Sequence, residues 1–111
     1  MELPSKVQFA DDKVKKAFDE LEECDNCDRE LRKHLERAFK DITENAFCGI
    51  QIPKKLIPKE YIQIYGISNA WKYNLPGAWR LIYSIESKKV IVLSIVLEWM
   101  DHKEYERKFN Y

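Results

Sequence analysis

The spacing of the apolar residues changes near the middle of this 111-residue chain. In the first half they recur every three or four residues, in two stripes that predict amphipathic helices. The second half instead alternates apolar and polar residues, a pattern typical of β-strands. Neither helix could bury its stripe alone. The chain therefore predicts one α+β domain over residues 1–111, in which an N-terminal strand and a helical hairpin pack on a small antiparallel sheet.

The two predicted helices are separated by a short polar break at Asp25-Asn26. Asp11 or Asp12 is expected to cap the first helix and Asp28 the second, because a carboxylate accepts hydrogen bonds from the free N–H groups of a first turn. Gly49 lies just past the expected end of the second helix. The first stripe is Val14, Ala17, Phe18, Leu21 and Cys24, and the second is Leu31, Leu35, Ala38, Phe39 and Ile42.

The strand signals lie at the N-terminus and in the second half. A short first strand carries Val7 and Phe9. A one- or two-turn helix is predicted from Pro58 to Gly66. Asp101 and Glu104 form an Asp-x-x-Glu capping box, which predicts a short final helix through Tyr105 and Phe109. The other predicted strands are Trp71 to Leu75, a strand with Trp79, Leu81, Tyr83 and Ile85 on one face, and Val90 to Leu97, buried on both faces.

Composition restricts the compartment and the class of partner. The longest apolar run has strand length, well short of the roughly 20 residues of a membrane helix, and the N-terminus lacks the layout of a signal peptide. An odd number of cysteines fits a reducing compartment, so we expect a cytoplasmic protein without a membrane partner. Lys plus Arg equals Asp plus Glu at 19 each, but acid dominates the first half and base the second. A polyanion should therefore meet the second half.

Two candidate sites have competing interpretations. Cys24 and Cys27 have the spacing of zinc ligands, with His34 and Cys48 as conceivable completing ligands, but the second paired set is missing. Plain cysteines at a helix junction are therefore the favoured interpretation. Arg80 interrupts a hydrophobic strand, where a charge is costly unless it is paired or functional. An internal ion pair with Glu98 or Asp101 and a catalytic role are both open.

The stretch Tyr73-Asn-Leu-Pro-Gly-Ala-Trp-Arg80-Leu-Ile-Tyr83-Ser-Ile, followed by a charged turn and Val90-Ile-Val-Leu-Ser-Ile, resembles the RelE/ParE toxin superfamily. In that family a short loop leads into a strand with the sequence Arg-Leu-Ile/Val-Tyr, and an apolar strand follows. The order of elements upstream also agrees with the family fold. The resemblance covers the whole chain in layout and Ala78 to Tyr105 in motif.

The resemblance implies the toxin of a type II toxin–antitoxin pair that inhibits translation, with a small antitoxin protein as partner. The RelE branch cuts messenger RNA on the ribosome, using the RNA 2′-hydroxyl as nucleophile, and needs no metal or small-molecule cofactor. By this resemblance Arg80 would stabilise the phosphorane and Tyr105 would orient or activate the 2′-hydroxyl. His102 is added on chemical grounds, because in the second half only its side chain ordinarily titrates near neutrality.

The expected RNA-binding residues surround this motif. Lys54 and Lys55 lie in the segment where some members of the family keep functional lysines, and the aromatic rings could stack on bases. The full set is Lys54, Lys55, Lys59, Lys72 and Trp99. One departure stands out: the stretch Glu98-Trp-Met-Asp101 replaces a second arginine that many family nucleases carry. A ParE-like gyrase inhibitor and a non-catalytic binding module that retains the fold are therefore the alternatives to a nuclease.

Overall fold

A computed structural model describes residues 3–21, 26–88 and 91–109. Short 3₁₀ turns at Ala46–Cys48, Lys54–Leu56 and Pro76–Ala78 join some of the elements. Among the described residues no helix is long and apolar enough to cross a bilayer. The elements in chain order are β1 (Lys6–Phe9), α1 (Asp12–Glu20), α2 (Asn26–Glu44), β2 (Ile50–Gln51), α3 (Lys59–Tyr65), β3 (Trp71–Leu75), β4 (Trp79–Lys88), β5 (Ile91–Asp101) and α4 (His102–Phe109).

The strands form one five-stranded sheet in the order β1-β5-β4-β3-β2. Strands β3 to β5 pair antiparallel, as predicted, and the short strand β2, which the sequence did not predict, pairs antiparallel with β3. Strand β1, however, runs parallel to β5, with Phe9 opposite Val96. The prediction of an antiparallel sheet is therefore wrong for β1, and the sheet is mixed. The physical reason is that β1 reaches its partner through the helical hairpin and three other strands, so no tight turn imposes an antiparallel direction.

Helices α1 and α2 cover one face of the sheet and α3 and α4 cover the other. We call the two apolar layers the hairpin-side core and the far-side core. The predicted stripe of α2 is buried, apart from the partly buried Phe39. The buried residues of the hairpin-side core are Val14, Phe18, Leu31, Leu35, Ala38, Ile42, Leu75, Leu81, Tyr83 and Val96. Those of the far-side core are Ile52, Ile57, Tyr61, Ile67, Ala70, Ile82, Leu97, Met100, Tyr105 and Phe109.

The helix ends follow the sequence signals with one exception. The Asp11 carboxylate accepts a 2.9 Å hydrogen bond from the Val14 N–H and caps α1. Pro58 precedes α3, which ends at Gly66 in the left-handed region that glycine favours. The prediction that Asp28 caps the second helix is wrong, because α2 already begins at Asn26. Several cap-type residues follow one another there, and local sequence does not choose among them.

Strand β4 presents the two faces that its alternation predicts. Tyr83 belongs to the hairpin-side core and Ile82 to the far-side core. The neighbouring strand β5 has a bulge, because Tyr83 pairs with Val96 while Ile82 pairs with Glu98, which leaves Leu97 as an extra residue. Val96 faces the hairpin, and Leu97 packs in the far-side core. The bulge thus sets the direction of the side chains that lead into α4.

Candidate functional site

Two cations lie next to each other on the far side of the sheet. In the antiparallel pair β3–β4, Lys72 is opposite Ile82 and Asn74 is opposite Arg80. Paired residues point to the same face, and Ile82 belongs to the far-side core. Lys72 and Arg80 therefore face α4. Two positive charges on one face raise the local potential, so the site is suited to an anion.

The ring of Tyr105 lies against both cations. Lys72 Nζ is 5.0 Å and Arg80 Cζ is 6.0 Å from the ring centroid, both within the range of a cation–π contact. The Tyr105 side chain is almost fully buried, at 3% exposure, and its ring stacks on Phe109 with a centroid separation of 4.6 Å. Its hydroxyl oxygen is buried as well. In this conformation the Tyr105 ring packs under the two cations, between them and the core, and does not reach the surface.

The guanidinium of Arg80 is held at the first residue of α4. Its Nη1 donates to the Trp79 carbonyl at 3.1 Å, and its Nη2 lies 3.4 Å from His102 Nδ1. A guanidinium can only donate, so the histidine nitrogen must accept. We define the Arg80 cluster as Lys72, Arg80, His102 and Tyr105. It joins four of the residues that the sequence singled out, from two strands and one helix.

The internal ion pair considered for Arg80 is not formed. Within the described ranges no carboxylate forms a salt bridge with Arg80. The Glu98 carboxylate instead accepts hydrogen bonds from Lys108 Nζ at 3.1 and 3.2 Å. The Asp101 carboxylate accepts one from the Glu104 N–H at 2.9 Å and caps α4, as the capping box predicts. Both candidate partners are therefore engaged elsewhere, and the Arg80 charge is available to an external anion.

The same network anchors α4 in place. Lys108 also forms a 3.3 Å ion pair with Glu60 of α3, and the Tyr61 hydroxyl donates to Glu98. Burial and the hydrogen bond to Glu98 raise the pKa of Tyr61. Burial lowers the pKa of Lys108, but its hydrogen bonds to Glu98 and Glu60 outweigh that effect and raise it. Because these groups join α3, β5 and α4, they fix the helix that carries His102 and Tyr105.

One residue of this site was not predicted. Glu106 lies one helical turn after His102, and its Oε1 is 2.5 Å from His102 Nε2. The two side chains are about half exposed, at 48% and 49%. The available signal was the spacing of four residues, which places two side chains on the same face of a helix. The capping box by itself predicts the helix but not which of its side chains share a face.

The other expected RNA-binding residues lie apart from the Arg80 cluster. Lys54 and Lys55 are exposed on the 3₁₀ turn before α3, and Lys59 is exposed on the first turn of α3. In the described part of the chain none of the three side chains forms a hydrogen bond, ion pair or cation–π contact with the cluster. Trp99 faces the opposite side of the sheet, where its ring meets Phe18 edge to face with a centroid separation of 6.4 Å. Of the five expected RNA-binding residues, Lys72 alone belongs to the Arg80 cluster.

The paired cysteine side chains of the candidate zinc site are not described by the structure. Cys24 and the side chain of Cys27 lie outside the described residues. His34 is partly buried on α2, and Cys48 is exposed after it. Among the residues that are described, no three His, Cys, Asp or Glu side chains are grouped so as to hold a metal ion.

The Arg80 cluster thus combines two cations and an imidazole over a buried tyrosine ring, and the half-exposed carboxylate of Glu106 lies beside the imidazole. Such a set can bind a phosphate and move a proton beside it. No family model matches the chain, and the comparisons with curated proteins and with solved structures found no significant match either.

Proposed function

We propose that this protein is the toxin of a type II toxin–antitoxin pair in the cytoplasm, and that it cuts messenger RNA on the ribosome. The observation that carries the proposal is the convergence of Lys72, Arg80, His102 and Tyr105. Strands β3 and β4 and helix α4 bring them together, although up to 33 positions separate them in the chain. The RelE/ParE resemblance implies roles for Arg80 and Tyr105, the chemistry of imidazole points to His102, and Lys72 is one of the basic residues expected to meet RNA. Their proximity is what a shared role requires.

The chemistry of RNA cleavage accounts for each member of the cluster. Attack of the 2′-hydroxyl on the adjacent phosphate builds negative charge on the phosphorane oxygens. Arg80 and Lys72 are positioned to offset that charge at a partly dehydrated surface, where fixed cations act most strongly. His102 is the group that exchanges the proton, because an imidazole nitrogen can both accept and donate one. Tyr105 holds the two cations in place through its ring.

The test is primer extension on a messenger incubated with programmed ribosomes and the purified protein, with ribosome-free RNA alongside. The parent is expected to cut in the codon of the ribosomal A site. Arg80→Ala should slow this cutting about 10²- to 10³-fold, the typical effect of removing one charge-stabilising donor. Arg37→Ala is the matched control, because Arg37 is exposed on α2, which covers the opposite face.

Equal cutting by Arg80→Ala and the parent would contradict the proposed role of the cluster. No cutting by well-folded parent protein on compatible ribosomes would contradict the nuclease itself. One observation favours the second candidate, a non-catalytic binding module of the same fold: the Tyr105 hydroxyl is buried and so does not lie at the surface in this conformation. In that case the protein acts through a protein partner, as a gyrase inhibitor of the ParE type does.

A further inference from the structure

The imidazole of His102 lies between a group that only donates hydrogen bonds and one that accepts them. Its Nδ1 faces Arg80 Nη2 at 3.4 Å, and its Nε2 faces Glu106 Oε1 at 2.5 Å. A guanidinium has no acceptor, so Nδ1 must carry the lone pair, while an ionised carboxylate has no donor, so Nε2 must carry the proton. Both neighbours therefore select the same neutral tautomer.

We propose that Glu106 is a positioning residue, which fixes this tautomer and so makes His102 Nδ1 the general base for RNA cleavage. The inference rests on the proposed nuclease function for its substrate. The basic nitrogen points at Arg80, the side chain expected to hold the phosphate. When a phosphate takes over the Arg80 guanidinium, the Nδ1 lone pair is released beside it, within reach of the neighbouring 2′-hydroxyl.

The proton and electron balance of the step is complete. Nδ1 takes the proton of the 2′-hydroxyl, and the 2′-oxygen forms a bond to phosphorus. The bond from phosphorus to the 5′-oxygen breaks, and that oxygen takes a proton from a water molecule. The resulting hydroxide removes the proton from Nδ1 and restores the imidazole. The products are a 2′,3′-cyclic phosphate and a 5′-hydroxyl end.

Glu106 contributes twice to this sequence. Before the step its carboxylate keeps the proton on Nε2, so that Nδ1 is not the protonated nitrogen. During the step the ring becomes an imidazolium, and the carboxylate at 2.5 Å offsets the new positive charge, which the Arg80 guanidinium on the other side opposes. The pair is well placed for this, because the capping Asp101 and the Lys108 network hold both ends of α4.

The tautomer can be observed directly by NMR on ¹⁵N-labelled protein. The chain has two histidines, so His34 on α2 serves as an internal reference. We expect one dominant His102 tautomer in the parent, with the proton on Nε2. Glu106→Gln should retain it, because the amide oxygen still accepts a hydrogen bond, and Glu106→Ala should give a mixture. Glu104→Gln is the matched control: it removes the same charge from an exposed position on the same helix.

Cleavage kinetics on programmed ribosomes then distinguish an effect of Glu106 on the positioning of His102 from an effect on binding to the ribosome. Glu106→Ala should lower the rate at saturating protein about tenfold, without changing the protein concentration that gives half the maximal rate. Glu106→Gln should lie between Glu106→Ala and the parent, since it keeps the tautomer and loses the charge.

An unchanged His102 spectrum and unchanged cutting in Glu106→Ala would overturn the inference and leave the nuclease proposal standing. The parent protein could instead show the expected tautomer and fail to cut messenger RNA. The Glu106–His102 pair would then be real, and the proposed function would be wrong.

Discussion

Tyr83→Phe tests whether a single buried hydroxyl holds the loop between α2 and β2 against the sheet. The Tyr83 side chain is fully buried, and its hydroxyl donates to the Ala46 carbonyl at 2.7 Å and accepts from the Gly49 N–H at 3.1 Å. Burial raises the pKa of this hydroxyl, so it keeps its proton for the Ala46 bond at ordinary pH. Phenylalanine retains the ring, which stacks on Trp71, and removes only the oxygen.

The expected loss of stability follows from the two backbone groups, the Ala46 carbonyl and the Gly49 N–H, that lose their hydrogen-bond partner. Each lost hydrogen bond costs about 1 kcal/mol, and a buried partner left unsatisfied costs about 1–3 kcal/mol. Because Ala46 is fully buried while Gly49 is partly exposed, we expect a loss of about 3 kcal/mol in the free energy of unfolding. For a slope of about 1.5 kcal/mol per M in urea, the midpoint should fall by about 2 M with the slope unchanged.

The assay is equilibrium unfolding in urea, followed by both circular dichroism and tryptophan fluorescence. Tyr65→Phe is the control, since in the described part of the chain the Tyr65 hydroxyl forms no hydrogen bond, and its midpoint should change little. A loss below about 0.5 kcal/mol in Tyr83→Phe, the size of an ordinary surface substitution, would refute the assignment of the loop's stability to this hydroxyl.

Two further predictions concern the same region. Gly49→Ala should destabilise by about 3 kcal/mol, because its Cβ would lie 2.6 Å from the Lys72 carbonyl oxygen; Gly66→Ala, strained only by its positive φ, should cost about 1 kcal/mol. Thermal unfolding of the two variants compares their losses of stability. Equal losses would refute the clash between a Cβ at position 49 and the Lys72 carbonyl. Burial and a hydrogen bond to Asp41 raise the pKa of Tyr73 to about 12 from 10.0. The folded state therefore keeps a proton that the unfolded chain loses, and stability should fall as pH rises from 10 to 12. Urea titrations at several pH values should show that stability falls less steeply with pH in Tyr73→Phe than in the parent. The same dependence on pH in both proteins would contradict the assignment of this fall to Tyr73.

Local patterns in the sequence predicted most of the elements correctly. The stripe of α2, the short helix between Pro58 and Gly66, and the cap at Asp101 each depend on residues within one or two turns of one another. For the candidate site, the Arg-Leu-Ile-Tyr motif selected Arg80, the likeness to the family's C-terminal tyrosine selected Tyr105, and the chemistry of histidine selected His102. Such signals can be interpreted without knowing where the rest of the chain goes.

What the sequence could not show was which selected residues meet. Lys72 and Trp99 looked equally plausible as RNA-binding residues, yet Lys72 reaches the Tyr105 ring and Trp99 packs against Phe18 on the other face. Side chains alternate between the faces of a strand, so strand pairing and the bulge at Leu97 decide this outcome.

Sequence alone determined that a strand and a helical hairpin precede a group of further strands, and that a charged arginine interrupts an apolar strand. It did not predict β2, and it ended the last strand at Leu97 instead of Asp101. The tertiary structure decided that β1 pairs parallel with β5, and that Glu98 and Asp101 are engaged away from Arg80. Those outcomes depend on contacts between residues far apart in the chain, whose free energies are set by how the whole sheet and its helices pack. The cationic surface at Arg80 is thus a property of the fold, although the residues that form it can be named from the sequence.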